Sequence, residues 1–321
     1  MRAAVYEIYG PPEVVTIRTV PKPTPKQNEV LVKVHTTLVT SGDARLRAFD
    51  IPALFRIPGR LMLGWPKPRE QILGFCFSGV VDSIGTGVTA FKIGDEVLGG
   101  RVNGTHAQYA AVPADKGIVP KPPNLSFEAA ATVAFGPNTA LTFLRNSRVG
   151  PDTRLLIIGA SGSVGAYALQ ISRHLGADIS AVCSGANAEL VTSLGASRVI
   201  DYAKQDIRKL GETFDVVFDT VGTMSFVEAL PLLAKHGTFA TAVMSPADIW
   251  PMLWPPARKG RKIVGGQAEA TNDKMSHLAE MMSAGTLQSV IDSRYTLDTI
   301  RDAHARVDSK RKRGDVVVAV T

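Results

Sequence analysis

Residues 154–178 read RLLIIGASGSVGAYALQISRHLGAD, and a change of pattern inside this stretch decides the fold. Residues 155–158 form a continuous apolar run, which is typical of a central parallel strand that is buried on both faces. Beyond a break of small residues, the spacing of apolar side chains becomes helical. The residues with this helical spacing are Val164, Ala168, Ile171 and Leu175. The stretch therefore predicts a strand, a tight turn and a helix.

Glycines occupy the break between the predicted strand and the predicted helix. Aligned on its last two glycines, the motif reads Ala160-Ser-Gly162-Ser-Val-Gly165, with Ala at the first position of the usual G-x-G-x-x-G pattern. Backbone without Cβ atoms lets a diphosphate approach closely, and a helix N-terminus directs N–H groups at it. An ordinary βα turn is the alternative, but the alternating units that follow favour a dinucleotide site. The residues predicted to hold the diphosphate are Ser161, Gly162, Ser163 and Val164.

The rest of the chain predicts an α/β protein with two domains. Roughly the first 120 residues contain short strand-like runs with glycine turns, among them the alternating run at 29–39, as in a β-barrel or sandwich. Strand-like and helical segments then alternate, with one of the helices expected at 225–235, which indicates a parallel sheet covered by helices. Residues 314–320 read as a strand that returns to the first domain. We expect a β-rich domain formed by residues 1–124 and 266–321, and a dinucleotide-binding domain formed by residues 125–265.

Composition narrows the class of protein. The 321 residues include only two cysteines, Cys76 and Cys183, which excludes a disulfide framework and a four-thiolate zinc site and favours a reducing, cytoplasmic setting. We see neither a signal-peptide core nor an apolar run of about 18 residues that would span a bilayer. The net charge is +7, with basic clusters at 258–262 and 310–313. No aromatic side chains are interleaved with these clusters, so we expect solvated loops rather than nucleic-acid or membrane partners.

The end of the second predicted strand indicates which dinucleotide binds. NAD sites place an Asp or Glu there to accept hydrogen bonds from the ribose hydroxyls. Here the strand DISAVC begins with Asp178 and ends at Cys183, so its carboxylate lies at the wrong end. The side chains that follow can donate to a 2′-phosphate, which favours NADPH. The residues predicted to take this part are Ser184, Asn187 and Tyr202, with a further charge from Lys204.

Three longer stretches, at 74–99, 159–177 and 303–320, are similar to those of a known superfamily. With the predicted domain order, they resemble the medium-chain dehydrogenase/reductase superfamily over essentially the whole chain, and most of all its zinc-free quinone oxidoreductase branch. The resemblance implies a GroES-like catalytic domain at the two ends of the chain and a Rossmann doubly wound parallel sheet between them. It also implies NADPH as the cofactor and a homodimer.

The zinc ligands of this superfamily are replaced here. Zinc-dependent members use a Cys three residues before an Asp, and a His in a GHE triplet. In this sequence Thr40 lies three residues before Asp43, and the triplet is Gly74-Phe75-Cys76. No Cys or His lies between 107 and 153, whereas a catalytic zinc needs three protein ligands. We therefore expect no metal site.

Reduction of an electron-poor acceptor is the expected reaction. A quinone or an α,β-unsaturated carbonyl can accept a hydride if donors or water stabilise the charge that develops on its oxygen. Thr40 and Asp43 are the candidate catalytic residues, although Asp43 paired with Arg45 or Arg47 is an equally open structural alternative. The resemblance implies that Thr139 and Val221 lie at the cofactor. Reduction of an enoyl thioester, or NADPH binding for regulation with little catalysis, are the alternative functions.

Three further features leave alternatives open. The long apolar and basic connection at 45–70 suggests a cover for the substrate, with the loop's own small core as the alternative. The apolar side chains in question are Phe49, Phe55, Leu61 and Trp65. The stretch at 249–260 fits either a wall of the substrate site or a dimer contact. Cys76 reads as a catalytic thiol or, more simply, as a buried structural one.

Overall fold

The computed structural model describes residues 1–51 and 56–320. The chain forms two compact units, one comprising Met1–Asn138 and Ala270–Thr321 and the other Thr139–Glu269. The domain bounds expected from the sequence, at 124/125 and 265/266, stay a prediction. Within the described ranges, no helix has both the length and the apolar composition that crossing a bilayer requires.

The strands of the described residues are numbered along the chain. They are β1 Arg2–Tyr6, β2 Val15–Thr19, β3 Glu29–Val39, β4 Cys76–Ile84, β5 Glu96–Gly100, β6 Tyr109–Pro113, β7 Ile118–Pro120, β8 Arg154–Ile158, β9 Asp178–Cys183, β10 Arg198–Asp201, β11 Phe214–Asp219, β12 Leu233–Thr241, β13 Lys262–Val264, β14 Ile291–Thr296 and β15 Asp315–Ala319. The α-helices of the same residues are α1 Ser41–Ala48, α2 Arg56–Leu63, α3 Phe127–Thr132, α4 Gly136–Asn146, α5 Ser163–His174, α6 Ala188–Ser193, α7 Phe226–Ala229, α8 Pro246–Leu253, α9 Asn272–Ser283 and α10 Ile300–Asp308.

The unit that contains both chain ends is built on a seven-stranded sheet. Its strand order is β14-β15-β3-β4-β5-β7, and β6 also pairs with β3. The terminal strand β15 runs antiparallel to β3, so the predicted return of the chain to this part of the fold is confirmed. Alternate residues of β3 point into one core because successive side chains of a strand face opposite ways. Members of that core include Val30, Val32, Val34, Val316 and Val318.

The other unit is a six-stranded sheet in the order β10-β9-β8-β11-β12-β13. Every pairing in it is parallel. Counted within the sheet, this order reads 3-2-1-4-5-6, which is the order of a Rossmann sheet and confirms the fold that the resemblance implies. The apolar run of β8 is buried, as a central strand requires. The chain reverses its strand order between β8 and β11, and dinucleotides bind at such a point, beyond the carboxyl ends of the strands.

Two local expectations differ from the structure. A helix reading of residues 225–235 is wrong beyond Ala229, because a 3₁₀ turn at Leu230–Leu232 leads directly into β12. Pro231 removes a backbone donor and prevents the helix from continuing. The connection at 45–70 contains the end of helix α1 and the whole of helix α2. The expected substrate-covering residue Phe55 lies outside the described residues.

Candidate functional site

The turn between β8 and α5 is too tightly packed for side chains at two of its glycines. Gly159 has φ +78°, and a Cβ placed on it would lie 2.6 Å from Cγ1 of Val221. A Cβ on Gly165 would lie 2.3 Å from the carbonyl oxygen of Gly159. The predicted glycine requirement thus has a physical cause: the backbone of the turn packs against the first turn of the helix and against the side chains of Thr220 and Val221.

The same turn has an open side at the N-terminus of α5. Gly162 is the N-cap residue, and no side chain caps the helix. A Cβ on Gly162 would meet only the carbonyl oxygen of Gly159, at 3.4 Å. The positive end of the helix dipole and the N–H groups of the first turn favour an anion at this place. The residues present therefore fit a diphosphate held at Ser161, Gly162, Ser163 and Val164.

A hydrogen bond joins two of the predicted cofactor residues. The Nδ2 atom of Asn187 donates to Oγ of Ser161 at 2.8 Å, while its Oδ1 atom is buried without a partner among the described residues. An amide has two N–H donors, and this bond uses one of them. Ser184 is half-buried at the end of β9, whereas Tyr202 is exposed just after β10. The predicted phosphate and ribose residues thus occupy neighbouring strand ends.

Val221 is held against this turn by a buried carboxylate. Asp219, the last residue of β11, accepts hydrogen bonds from the backbone N–H groups of Val221, Gly222 and Met224 at 2.8–2.9 Å. Burial raises the pKa of Asp219, and the backbone hydrogen bonds act in the opposite direction. Asp219 thereby fixes the loop at the point where the strand order of the sheet reverses, and the side chain of Val221 remains partly exposed there.

Thr40 and Asp43, in the other unit, form a capping box at the start of α1. The hydroxyl of Thr40 accepts from the backbone N–H of Asp43 at 3.1 Å and donates to Oδ2 of that side chain at 2.6 Å. The other carboxylate oxygen accepts from the backbone N–H of Gly74 at 3.0 Å. Asp43 therefore ties the start of the helix to the Gly74-Phe75-Cys76 segment. No local sequence pattern at Gly74 indicates this bond.

The structural alternative for Asp43, a salt bridge to Arg45 or Arg47, is wrong. Arg45 pairs with Asp50 at 3.6 Å, and Arg47 pairs with Asp308 at 2.5 Å. A capping box needs the carboxylate to turn back toward the helix N-terminus, whereas Arg45 and Arg47 lie in the last turn of the same short helix.

The residues at the zinc positions do not fit a zinc ion. Phe75 offers no donor atom, and the hydroxyl of Thr40 is engaged by Asp43. Cys76 is fully buried, and burial raises the pKa of its thiol well above the ordinary value, which disfavours the thiolate that binds metals or attacks substrates. The Nε2 atom of His106 lies 2.8 Å from the carbonyl oxygen of Leu38. Across residues 1–51 and 56–320, no group of three His, Cys, Asp or Glu side chains is arranged for a metal.

Thr139 and the connection at 45–70 complete the predicted set. Thr139 is half-buried in the first turn of α4. An open pocket of about 330 Å³ lies at the C-terminal end of α1. The residues that line this pocket are Ala48, Phe49, Arg56, Ile57, Arg60 and Trp65. Leu61 is 65% exposed and does not belong to this lining.

Comparison with known proteins agrees with these features. Residues 26–123 match the family described as alcohol dehydrogenase GroES-like domain, and residues 194–318 match the family described as zinc-binding dehydrogenase. A bovine mitochondrial NAD(P)H oxidoreductase is 30% identical over 91% of this chain and 82% of its own. A chloroplastic NADPH-dependent alkenal/one oxidoreductase of Arabidopsis thaliana is 27% identical over 99% of this chain and 79% of its own.

A solved structure extends the agreement to the whole fold. The quinone oxidoreductase of Coxiella burnetii aligns with a TM-score of 0.90 and 25% identity, covering 100% of this chain and 99% of that one. The fold and the glycine turn define an α/β oxidoreductase with a GroES-like part and a Rossmann part. More narrowly, the chain belongs to the quinone oxidoreductase branch of the medium-chain dehydrogenase/reductase superfamily.

Proposed function

We propose that this protein is an NADPH-dependent oxidoreductase that transfers hydride to a quinone or an α,β-unsaturated carbonyl without zinc. The observation that carries the proposal is the uncapped N-terminus of α5 beside the open side of Gly162, at the switch point of a Rossmann sheet. The names of the relatives support the same reaction class, since one is an NADPH-dependent alkenal/one oxidoreductase and another a quinone oxidoreductase.

Bound NADPH supplies the hydride, and the chain's own residues do the rest. Backbone N–H groups and hydroxyls from Ser161 to Val164 bind the diphosphate, while Ser184, Asn187 and Tyr202 donate to the 2′-phosphate. Val221 and Thr139 contact the nicotinamide half. The main contribution of these residues is positioning, because the acceptor is already electron-poor.

Thr40 acts as an acceptor rather than a donor in this scheme. Its hydroxyl hydrogen points at Asp43 and its oxygen accepts from the backbone N–H of Asp43, so one lone pair is left to accept a hydrogen bond from a bound ligand. Asp43 is then a positioning residue that fixes the hydroxyl, and a proton reaches the reduced acceptor from water. Apolar surface at Phe49 and Trp65 supports a role for the 45–70 connection in covering an aromatic acceptor.

A stopped-flow measurement of NADPH oxidation tests the proposal, with the decrease in absorbance of the reduced nicotinamide as the readout. We expect rapid oxidation with quinones and enones and slow oxidation with enoyl thioesters. Oxidation by enoyl thioesters alone would favour an enoyl-thioester reductase, and no oxidation by any acceptor, with NADPH still bound, would favour a regulatory NADPH-binding protein.

We also propose a cytoplasmic homodimer with no nucleic-acid or membrane partner. Two unpaired, buried cysteines support a reducing compartment.

Trp250, Leu253 and Trp254 are exposed on and just after α8, and the two indole rings stack with their centroids 6.1 Å apart. An exposed apolar patch of this kind supports a subunit contact. Light scattering is expected to give twice the chain mass, and a Trp250→Ser, Leu253→Ser variant to shift it toward a monomer; a monomeric wild type contradicts the homodimer.

A further inference from the structure

A carboxylate that the sequence analysis did not consider lies beside the turn assigned to the adenosine ribose. Asp201 is the last residue of β10 and pairs in register with Cys183, the last residue of β9. The side chain therefore ends at the same edge of the sheet as the turn that follows β9, at Gly185–Asn187. This inference rests on the proposed function, because that function places the 2′-phosphate at this turn.

The carboxylate is in close contact with the main chain of the turn. A Cβ on Gly185 would lie 2.6 Å from Oδ2 of Asp201 and 3.4 Å from its Cγ. Gly185 is exposed, and because it is a glycine it has no side chain that would shield a ligand from this charge. Oδ1 of Asp201 accepts from the backbone N–H of Ala203 at 3.0 Å, which holds the carboxylate group in place.

The charges around Asp201 do not neutralise it. Among the described residues, Asp201 makes no salt bridge, and Lys204 is exposed. Glu189, in the first turn of α6, adds a second negative charge near the turn. A 2′-phosphate carries about −1.5 to −2 at neutral pH, so it meets like charge at this place. The ribose hydroxyl of NADH carries no charge, so it does not meet this repulsion.

We propose that Asp201 is a specificity-determining residue that weakens the binding of the 2′-phosphate, so that the protein accepts NADH as well as NADPH. Ser184, Asn187 and Tyr202 attract the phosphate, and Asp201 opposes them. The ratio of the affinity for NADPH to the affinity for NADH is therefore small for an enzyme of this type, and the carboxylate of Asp201 controls this ratio.

Isothermal titration with two fragments isolates this effect from catalysis. Adenosine 2′,5′-bisphosphate and 5′-AMP differ only in the 2′-phosphate. We expect Asp201→Asn to tighten the bisphosphate about tenfold and to leave 5′-AMP unchanged, as expected for removal of a like charge a few ångströms away. Asn retains an acceptor for the N–H of Ala203, so the turn is preserved.

Asp178→Asn is the matched control, because it removes an equal charge at the opposite end of β9. It is expected to leave both affinities unchanged. An unchanged ratio in Asp201→Asn, or an equal shift in both variants, overturns the inference. The inference fails alone if wild-type protein reduces quinones with NADPH while Asp201→Asn leaves the ratio of bisphosphate affinity to 5′-AMP affinity unchanged. The proposed function fails with it if wild-type protein binds neither the fragments nor NADPH.

Discussion

At the scale of a single residue, a substitution at Gly162 is expected to affect ligand binding without affecting folding. Its backbone has an ordinary φ of −76°, and a Cβ there would meet the protein only at 3.4 Å. We expect Gly162→Ala to leave the unfolding midpoint nearly unchanged but to weaken NADPH binding at least tenfold, since the new methyl group occupies the side where the diphosphate lies. Fluorescence titration of NADPH measures the loss.

Two other glycines are the controls for this variant. In Gly165→Ala the Cβ would lie 2.3 Å from a carbonyl oxygen, so stability is expected to fall together with binding. In Gly150→Ala nothing lies within 4 Å of the Cβ, and neither property is expected to change. NADPH affinity that survives Gly162→Ala intact would contradict the assignment of the diphosphate to this turn.

His304 predicts a pH dependence of stability. It is fully buried in α10, and both ring nitrogens are unpartnered among the described residues. Burial lowers the pKa of His304 well below its ordinary value of 6.5, and the neighbouring His106 and Arg47 act in the same direction. Below pH 6.5 the unfolded chain binds a proton here that the folded chain does not, so stability falls as the pH falls and is unaffected above that value.

Urea unfolding at a series of pH values tests this expectation. In His304→Leu the decline of stability between about pH 6.5 and pH 5 is expected to flatten by up to about 1.4 kcal/mol per pH unit. His277→Gln is the control, because His277 is exposed on α9 and its removal is expected to leave the slope unchanged. A slope that His304→Leu does not alter would show that another group causes the decline.

At the scale of an element, the start of α1 depends on its capping box. Thr40→Val removes the hydroxyl that accepts from the N–H of Asp43, and we expect it to cost about 1 kcal/mol of unfolding free energy. Thr40→Ser keeps the hydroxyl and is expected to retain both stability and turnover. Urea unfolding measures the stability of both variants, and kcat measures their turnover. A Val variant as stable as wild type would contradict the structural part of this role.

The sequence was sufficient for elements whose pattern is local. The alternation of residues 29–39 predicted β3 with its observed bounds, and the apolar run before Gly159 predicted β8. The sequence contains a signal for helix α1, because Thr40 and Asp43 have the spacing of a capping box. The resemblance instead singles these two residues out as catalytic candidates at the former zinc position. Pro231 was the signal that the helix reading of 225–235 overlooked.

Contacts between distant segments were beyond sequence reasoning. The bond from Asn187 to Ser161, the link from Gly74 to Asp43 and the proximity of Asp201 to Gly185 each join residues that no local pattern relates. They depend on which strands are neighbours and on their register, which only the folded sheet defines. The candidate residues were therefore found from the motif, and their partners only from the structure.

At the scale of the whole molecule, turnover is expected to be independent of metal. Phe75 and the engaged hydroxyl of Thr40 leave the superfamily's zinc position without suitable donors. Dialysis against a strong chelator should leave kcat and the thermal midpoint unchanged, as measured by NADPH oxidation and by calorimetry. Activity that is lost on dialysis and restored by zinc would overturn the zinc-free assignment.

The most direct test is a crystal structure of the protein with NADPH. We predict diphosphate oxygens within hydrogen-bond distance of backbone N–H groups between Ser161 and Val164, with the 2′-phosphate beside Gly185. A diphosphate bound at any other part of the chain would contradict the account.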